Sequence, residues 1–129
     1  MILLLAMLVQ APVPSSDIRG DWINQRQTAV IRISDCPTGL CGVVIWSAPT
    51  AQVDAARGGT RELNGTTVIR DFAASEGGRW RGQVFLPDLN RSAKATIELQ
   101  SDGTRLRVRA CELGGLVCKT QTWSRWPKR

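Results

Sequence analysis

The stretch Arg105-Leu106-Arg107-Val108-Arg109-Ala110 decides the fold. Apolar and charged residues alternate with a period of two, so in an extended strand Leu106, Val108 and Ala110 share one face and the three arginines the other. A strand with one apolar and one charged face belongs to an antiparallel sheet that covers a core on one side only. Immediately upstream, Ala93, Ala95, Ile97 and Leu99 alternate with Lys94, Thr96, Glu98 and Gln100, and Ser101-Asp102-Gly103 between the two runs supplies turn chemistry. The two runs form a hairpin. With Leu99 and Leu106 both inward, Glu98 falls beside Arg107 on the outer face, an exposed pair worth roughly a few tenths of a kcal/mol.

The same pattern extends outward in both directions. Arg79 to Leu86 reads as a strand closed by Pro87-Asp88, and Thr66 to Phe72 precedes it. Gly20 to Asn24, Thr28 to Ser34 and Gly42 to Ser47 supply the first half, and Val117 to Trp126 the end. About eight short strands with turn signals between neighbours predict an all-β fold, a small antiparallel up-and-down β-barrel. Ala48 to Asn64 breaks the pattern. It is rich in Ala, Gly and Thr with few large apolar residues, and reads as a long loop able to cover a barrel mouth.

The chain of 129 residues is one domain in size. Met1 to Val9 is an apolar run too short to span a bilayer but of the length of a signal-peptide core. The expected organisation is a signal peptide over 1-16, with an uncertain cleavage site, and a barrel domain over 17-129. The expected location is the periplasm or the exterior. Four cysteines in an exported chain read as a disulfide framework. Cys36 and Cys41 bracket one turn signal, Cys111 and Cys118 another, which favours local pairing within each. Such short loops give about 2 kcal/mol per bridge in the chain-entropy model. A zinc or redox role is disfavoured, because the chain has no His and neither pair is Cys-x-x-Cys.

Absence of His and of Tyr also removes the usual general base and the common nucleophile pairs. Asp54, Glu62, Asp71 and Glu76 are the acids near one another along the chain, and no spacing links two of them to one site. The expectation is therefore no enzyme, no cofactor and no metal. The net charge is +6, nearly all from arginine. A basic surface attracts nucleic acid, anionic lipid or acidic polysaccharide, and export sets nucleic acid aside.

Gly20-Asp21-Trp22 opens the first strand and Thr122-Trp123-Ser124-Arg125 lies in the last. A G-x-W near the start and an Arg in the final strand resemble the short signature of lipocalin-like barrels. In those, the Trp plugs the closed end and the Arg packs across it. The order Gly20 and Trp22, then Cys36, Cys41, Gly42 and Trp46, then Cys118, Gln121, Thr122, Trp123 and Arg125 is similar to the bacterial exported family called DUF2147. The resemblance spans nearly the whole mature region and implies a periplasmic lipocalin-like barrel without established activity. The chain departs from the family pattern at Val53 to Gly59, so no role is carried over for that loop.

Gly20, Trp22, Trp123 and Arg125 are accordingly the candidate barrel-closing set, with Arg125 over Trp22 as a cation–π contact. Trp46, Trp80, Val84, Ile97, Leu99, Leu106 and Val108 are candidates to line a ligand cavity, in competition with an ordinary core role. Two partner classes stand open. One is a small hydrophobic or amphipathic ligand inside the barrel. The other is an anionic envelope component held by the outer surface of a packed barrel, for which the Arg105, Arg107 and Arg109 stripe is the motive. No segment is expected to span a membrane.

Overall fold

The Arg105 hairpin forms with the expected register: Leu99 lies opposite Leu106, Glu98 opposite Arg107 and Ile97 opposite Val108. The computed structural model describes residues 17–100 and 102–127, so the expected signal peptide over 1-16 lies outside the described residues. The strands are β1 (Gly20–Ile23), β2 (Ala29–Cys36), β3 (Gly39–Ser47), β4 (Thr67–Ala74), β5 (Arg79–Leu86), β6 (Arg91–Leu99), β7 (Arg105–Glu112) and β8 (Val117–Arg125), with one helix, α1 (Pro49–Arg57), between β3 and β4. Each strand pairs antiparallel with the next, and β8 returns to β1, closing an up-and-down barrel. Glu98 also lies opposite Arg79 and forms its ion pair there, at 3.8 Å, rather than with Arg107.

Inward positions follow the period of two. Trp22, Ile31, Ile33, Leu40, Val44, Ile69, Phe72, Val84, Ile97, Leu106, Val108 and Trp123 belong to one buried cluster. Arg105, Arg107 and Arg109 face outward and are exposed. Strand direction assigns the turns to two ends. The near end carries residues 17–19, the β2–β3 turn, the β4–β5 turn and the β6–β7 turn; the far end carries the β1–β2 turn, α1, the β5–β6 turn and the β7–β8 turn.

The Ala48–Asn64 segment is not the structureless loop expected. Pro49 starts α1 in its first turn, where a missing N–H costs nothing, and alanine, the best helix former, fills positions 51, 55 and 56. Ala51 and Ala55, one turn apart, pack on the barrel core, Ala55 fully buried. Small side chains hid this helix, since its core-facing stripe has no large apolar residue. After α1, the Thr60 hydroxyl donates to the Pro87 carbonyl at 2.9 Å, and the Ser47 hydroxyl to Asn64 Oδ1 at 2.6 Å. Leu63 is buried in the same cluster. The segment thus lies across the far mouth, from β3 to the β5–β6 turn.

Two disulfides join Cys36 to Cys41 and Cys111 to Cys118, with Cα atoms 5.8 and 4.1 Å apart. The first staples the β2–β3 turn. The second bridges residues directly opposite in β7 and β8.

Candidate functional site

The near end is built around Trp22, which is fully buried. Its indole N–H donates to the Ile18 carbonyl at 2.8 Å, satisfying the one polar atom a buried tryptophan carries. The Arg125 guanidinium carbon stands 4.0 Å from the Trp22 ring centre. Arg125 Nη1 donates to the Arg19 carbonyl and Nη2 to the Asp17 carbonyl, both at 2.6 Å, and Nε donates to the Gly103 carbonyl at 3.0 Å. One side chain therefore ties residues 17–19 and the β6–β7 turn over the aromatic ring. Burial pushes the Arg125 pKa down, countered by the charge of Asp17, and a guanidinium remains charged throughout. Gly20 has φ +120°, and a Cβ there would sit 2.8 Å from Arg125 Nη1; glycine both adopts that backbone and lets the guanidinium approach.

Trp123, opposite Leu106, is buried and donates to Gln121 Oε1 at 3.1 Å. Of the four residues singled out for this end, Trp22, Arg125 and Gly20 meet at one point, while Trp123 stands one layer deeper. Around them Asp35 pairs with Arg19, whose hydrogen bond holds the Asp35 carboxyl below its ordinary pKa.

Of the candidate lining residues, Val84, Ile97, Leu106 and Val108 are inward and buried, and Trp80 and Leu99 are half-buried against the same cluster. Trp46 is not among them. It is 47% exposed on the outer face, because the β2–β3 register shifts between Val30 and Ile31. Ile31 faces Val44 while Val30 faces Trp46, so Ile45 is an extra residue, and a bulge of one residue reverses which side chains point inward. Ser47, buried, takes the inward position instead.

Two inward glycines mark close packing in the middle layers of the barrel interior. A Cβ on Gly42 would lie 2.7 Å from the Ile69 side chain and 2.9 Å from Ile31, and one on Gly82 would lie 2.5 Å from the Phe72 ring. The glycines make room for their neighbours' side chains.

A concavity of about 460 Å³ lies instead on the outer wall, lined by Asp71, Arg81, Gln83, Lys94, Thr96 and Arg109, with Gly82 and Ala95 behind them. Register explains it. Arg81 lies opposite Thr96 on β6, and Thr96 opposite Arg109 on β7, so the three form one outward row; Gln83 and Lys94 pair in the next row. Among the described residues, Arg81, Lys94, Arg107 and Arg109 form no salt bridge. Sequence reading found the β7 stripe but missed Arg81 and Lys94; period-two registration of the neighbouring strands is the signal that adds them. A second groove, of about 310 Å³, is lined by Gln25, Arg26, Lys119, Thr120 and Gln121. It arises because β1 pairs with β8 only at Trp22–Arg125 and Ile23–Ser124. Beyond that short seam, Gln25 Oε1 accepts the Thr122 N–H at 2.9 Å in place of a strand.

The four acids near one another along the chain do not converge. Asp54 is on α1 and Glu62 follows it at the far end, Glu76 is in the β4–β5 turn at the near end, and Asp71 on β4 accepts the Thr38 hydroxyl at 2.6 Å. Among the described residues no three His, Cys, Asp or Glu side chains cluster as metal ligands, and no helix is long and apolar enough to cross a membrane.

In structure the chain is similar to protein HP1028 of Helicobacter pylori, described as belonging to the lipocalin family, with a TM-score of 0.64 at 13% identity, covering 87% of this chain and 84% of that one. At that identity the likeness speaks for the fold. No curated protein matches the sequence. A family model described as "Uncharacterized protein conserved in bacteria (DUF2147)" matches residues 20–125, from the glycine beneath Arg125 to Arg125 itself. The chain belongs to the DUF2147 family of bacterial proteins, with a lipocalin-like β-barrel fold.

Proposed function

We propose that the protein is an exported, non-catalytic binding protein of the bacterial envelope that holds an anionic partner on the outer wall of β5, β6 and β7. The carrying observation is the row Arg81, Thr96, Arg109 beside Lys94, a concavity whose three cations form no salt bridge and outnumber its one carboxylate, Asp71, which is taken up by the Thr38 hydroxyl. Like charges set side by side repel, and an anionic group between them removes that repulsion while accepting bonds from Thr96 and Gln83. Two disulfides and a bacterial family fit an exported protein. Trp22 and Arg125 serve this reading as the closure that keeps the barrel rigid beneath the wall.

Retention on immobilised dextran sulfate, eluted with salt, tests it. The wild type is expected to elute at markedly higher salt than the Arg81→Ser, Lys94→Ser, Arg109→Ser triple variant, since each neutralised contact steepens the salt dependence. A triple variant that loses no more retention per charge removed than a control lacking Arg57 and Arg61 overturns the assignment.

The second reading is a small lipophilic ligand inside the barrel. The lipocalin-like fold favours it, as do the half-buried Trp80 and Leu99. Native mass spectrometry of protein purified from its own envelope separates the two: a bound lipophile of defined mass supports the interior site.

A further inference from the structure

The β7–β8 turn is Leu113-Gly114-Gly115-Leu116, and neither it nor Val117, the first residue of β8, carries a polar side chain. Turns at a barrel rim normally carry polar residues. Here Leu113 is 73% and Leu116 86% exposed, and Val117 beside them is exposed as well. Leu113 has φ +53°, the left-handed region that a leucine adopts at a cost. The backbone is thus held in a conformation that suits glycine while it presents a large apolar side chain to water. The Cys111–Cys118 bridge staples the hairpin immediately behind the tip, so the two leucines are displayed on a braced support. Leu89 of the β5–β6 turn and Val53 of α1 are exposed at the same end.

Charge sets the choice of occupant. The groove on one side of this hairpin is lined by Arg81, Lys94 and Arg109 against one carboxylate, Asp71, with Cys111 of the staple itself, and the groove on the other by Arg26 and Lys119 with no acid. An apolar tip between two cationic grooves matches a surface that is apolar below and anionic at its face, the arrangement of a lipid bilayer with anionic headgroups. A soluble acidic protein would bury the leucines only by offering an apolar patch ringed by its acids, whereas a bilayer with anionic headgroups supplies both at any point of its surface.

We infer that the stapled β7–β8 tip inserts Leu113 and Leu116 into an anionic lipid surface, with Arg109, Lys94, Lys119 and Arg26 engaging the headgroups. The inference rests on the anion-binding reading of the outer wall for its charge component. The apolar component stands on the tip alone. Neither signal suffices by itself, since shallow insertion of two side chains is weak and binding by charge is screened by salt; together they give reversible attachment.

The test is co-sedimentation of the full chain with vesicles of phosphatidylethanolamine and phosphatidylglycerol in a roughly 3:1 ratio, beside vesicles of phosphatidylcholine alone. The expected result is sedimentation with the anionic vesicles, weakened at least about tenfold by Leu113→Ser with Leu116→Ser, and weakened by Arg26→Glu with Lys119→Glu. Both double variants change exposed residues, and thermal unfolding confirms that they fold as the wild type does. The leucine variant keeps its full retention on dextran sulfate, which has no apolar interior, so failure of the tip and failure of the cationic wall are told apart. Equal sedimentation of wild type and leucine variant overturns the inference. So does equal binding of the wild type to neutral vesicles. A concentration-dependent dimer that the leucine variant abolishes, with no vesicle binding by the wild type, makes a second copy of the chain the occupant and overturns it as well.

Discussion

At the near end of the barrel the Arg125 guanidinium donates to three backbone carbonyls above a fully buried Trp22, whereas at the far end Leu113 and Leu116 stand in water beside a disulfide. Both ends join strands by turns, and both carry a staple, yet one directs its apolar side chains inward and the other outward. Inward direction at the near end follows from satisfied polar groups: Ile18 and Gly103 carbonyls, the indole N–H and the guanidinium all have partners. At the far end α1, with Ala51, Ala55 and Leu63, already covers the mouth, so the β7–β8 tip is not needed as a plug. An apolar residue spared from closing the core and still kept exposed is a residue available for contact with something else.

The contrast makes the near end the place where substitution costs most stability. Trp22→Ala removes the largest fully buried side chain and leaves Arg125 above a void, and about 3–5 kcal/mol is expected from such truncations. For a domain whose whole stability is of order 5–15 kcal/mol, that approaches loss of the fold, visible as a lowered urea midpoint. A loss under about 1 kcal/mol would mean that the near end is not the keystone that its hydrogen bonds indicate.

Arg125→Lys sharpens the same point at smaller cost. Lysine keeps the charge and part of the attraction to the Trp22 ring, but a single ammonium cannot reach three carbonyls set by a planar fork. The expected loss is about 1–3 kcal/mol in urea unfolding, from guanidinium hydrogen bonds to half-buried and exposed carbonyls that an ammonium does not replace. If Lys serves as well as Arg, the cation–π contact alone holds the end and the three carbonyl bonds contribute little.

These contrasts were unequally legible in the sequence. The alternation of Leu106, Val108 and Ala110 with arginines was enough to place β7, its partner β6 and the register between them, because a half-buried strand has no other way to sort its side chains. Gly20, Trp22 and Arg125 could be singled out, though the carbonyls of Asp17, Arg19 and Gly103 that hold Arg125 could not: backbone acceptors have no residue type to mark them. Trp46 was misplaced by the bulge at Ile45, since a strict period cannot reveal an inserted residue. Helix α1 was missed because its packing face is alanine. The Leu113 tip is hidden in the sequence for a different reason. Gly114-Gly115 announces a turn so strongly that the leucines on either side are read as its flanks, and only their exposure shows them to be its apex.

The smallest expected effect is the most telling about that apex, because it has the opposite sign. At φ +53° a leucine pays about 1–2 kcal/mol relative to glycine for left-handed backbone, and an exposed side chain returns no burial to offset it. Leu113→Gly relieves that strain, less the extra backbone entropy of glycine, about 0.5–1 kcal/mol. The net expectation is a stabilisation of up to about 1 kcal/mol, a rise of a few degrees in thermal midpoint for a domain of this size. The same substitution removes one of the two leucines presented at the tip, so vesicle sedimentation is expected to fall as stability rises. Opposite movement of the two readouts is the signature of a residue kept for contact at the expense of stability. A fall in the midpoint would show instead that the Leu113 side chain supports the hairpin, and the difference between the two ends would then be one of degree.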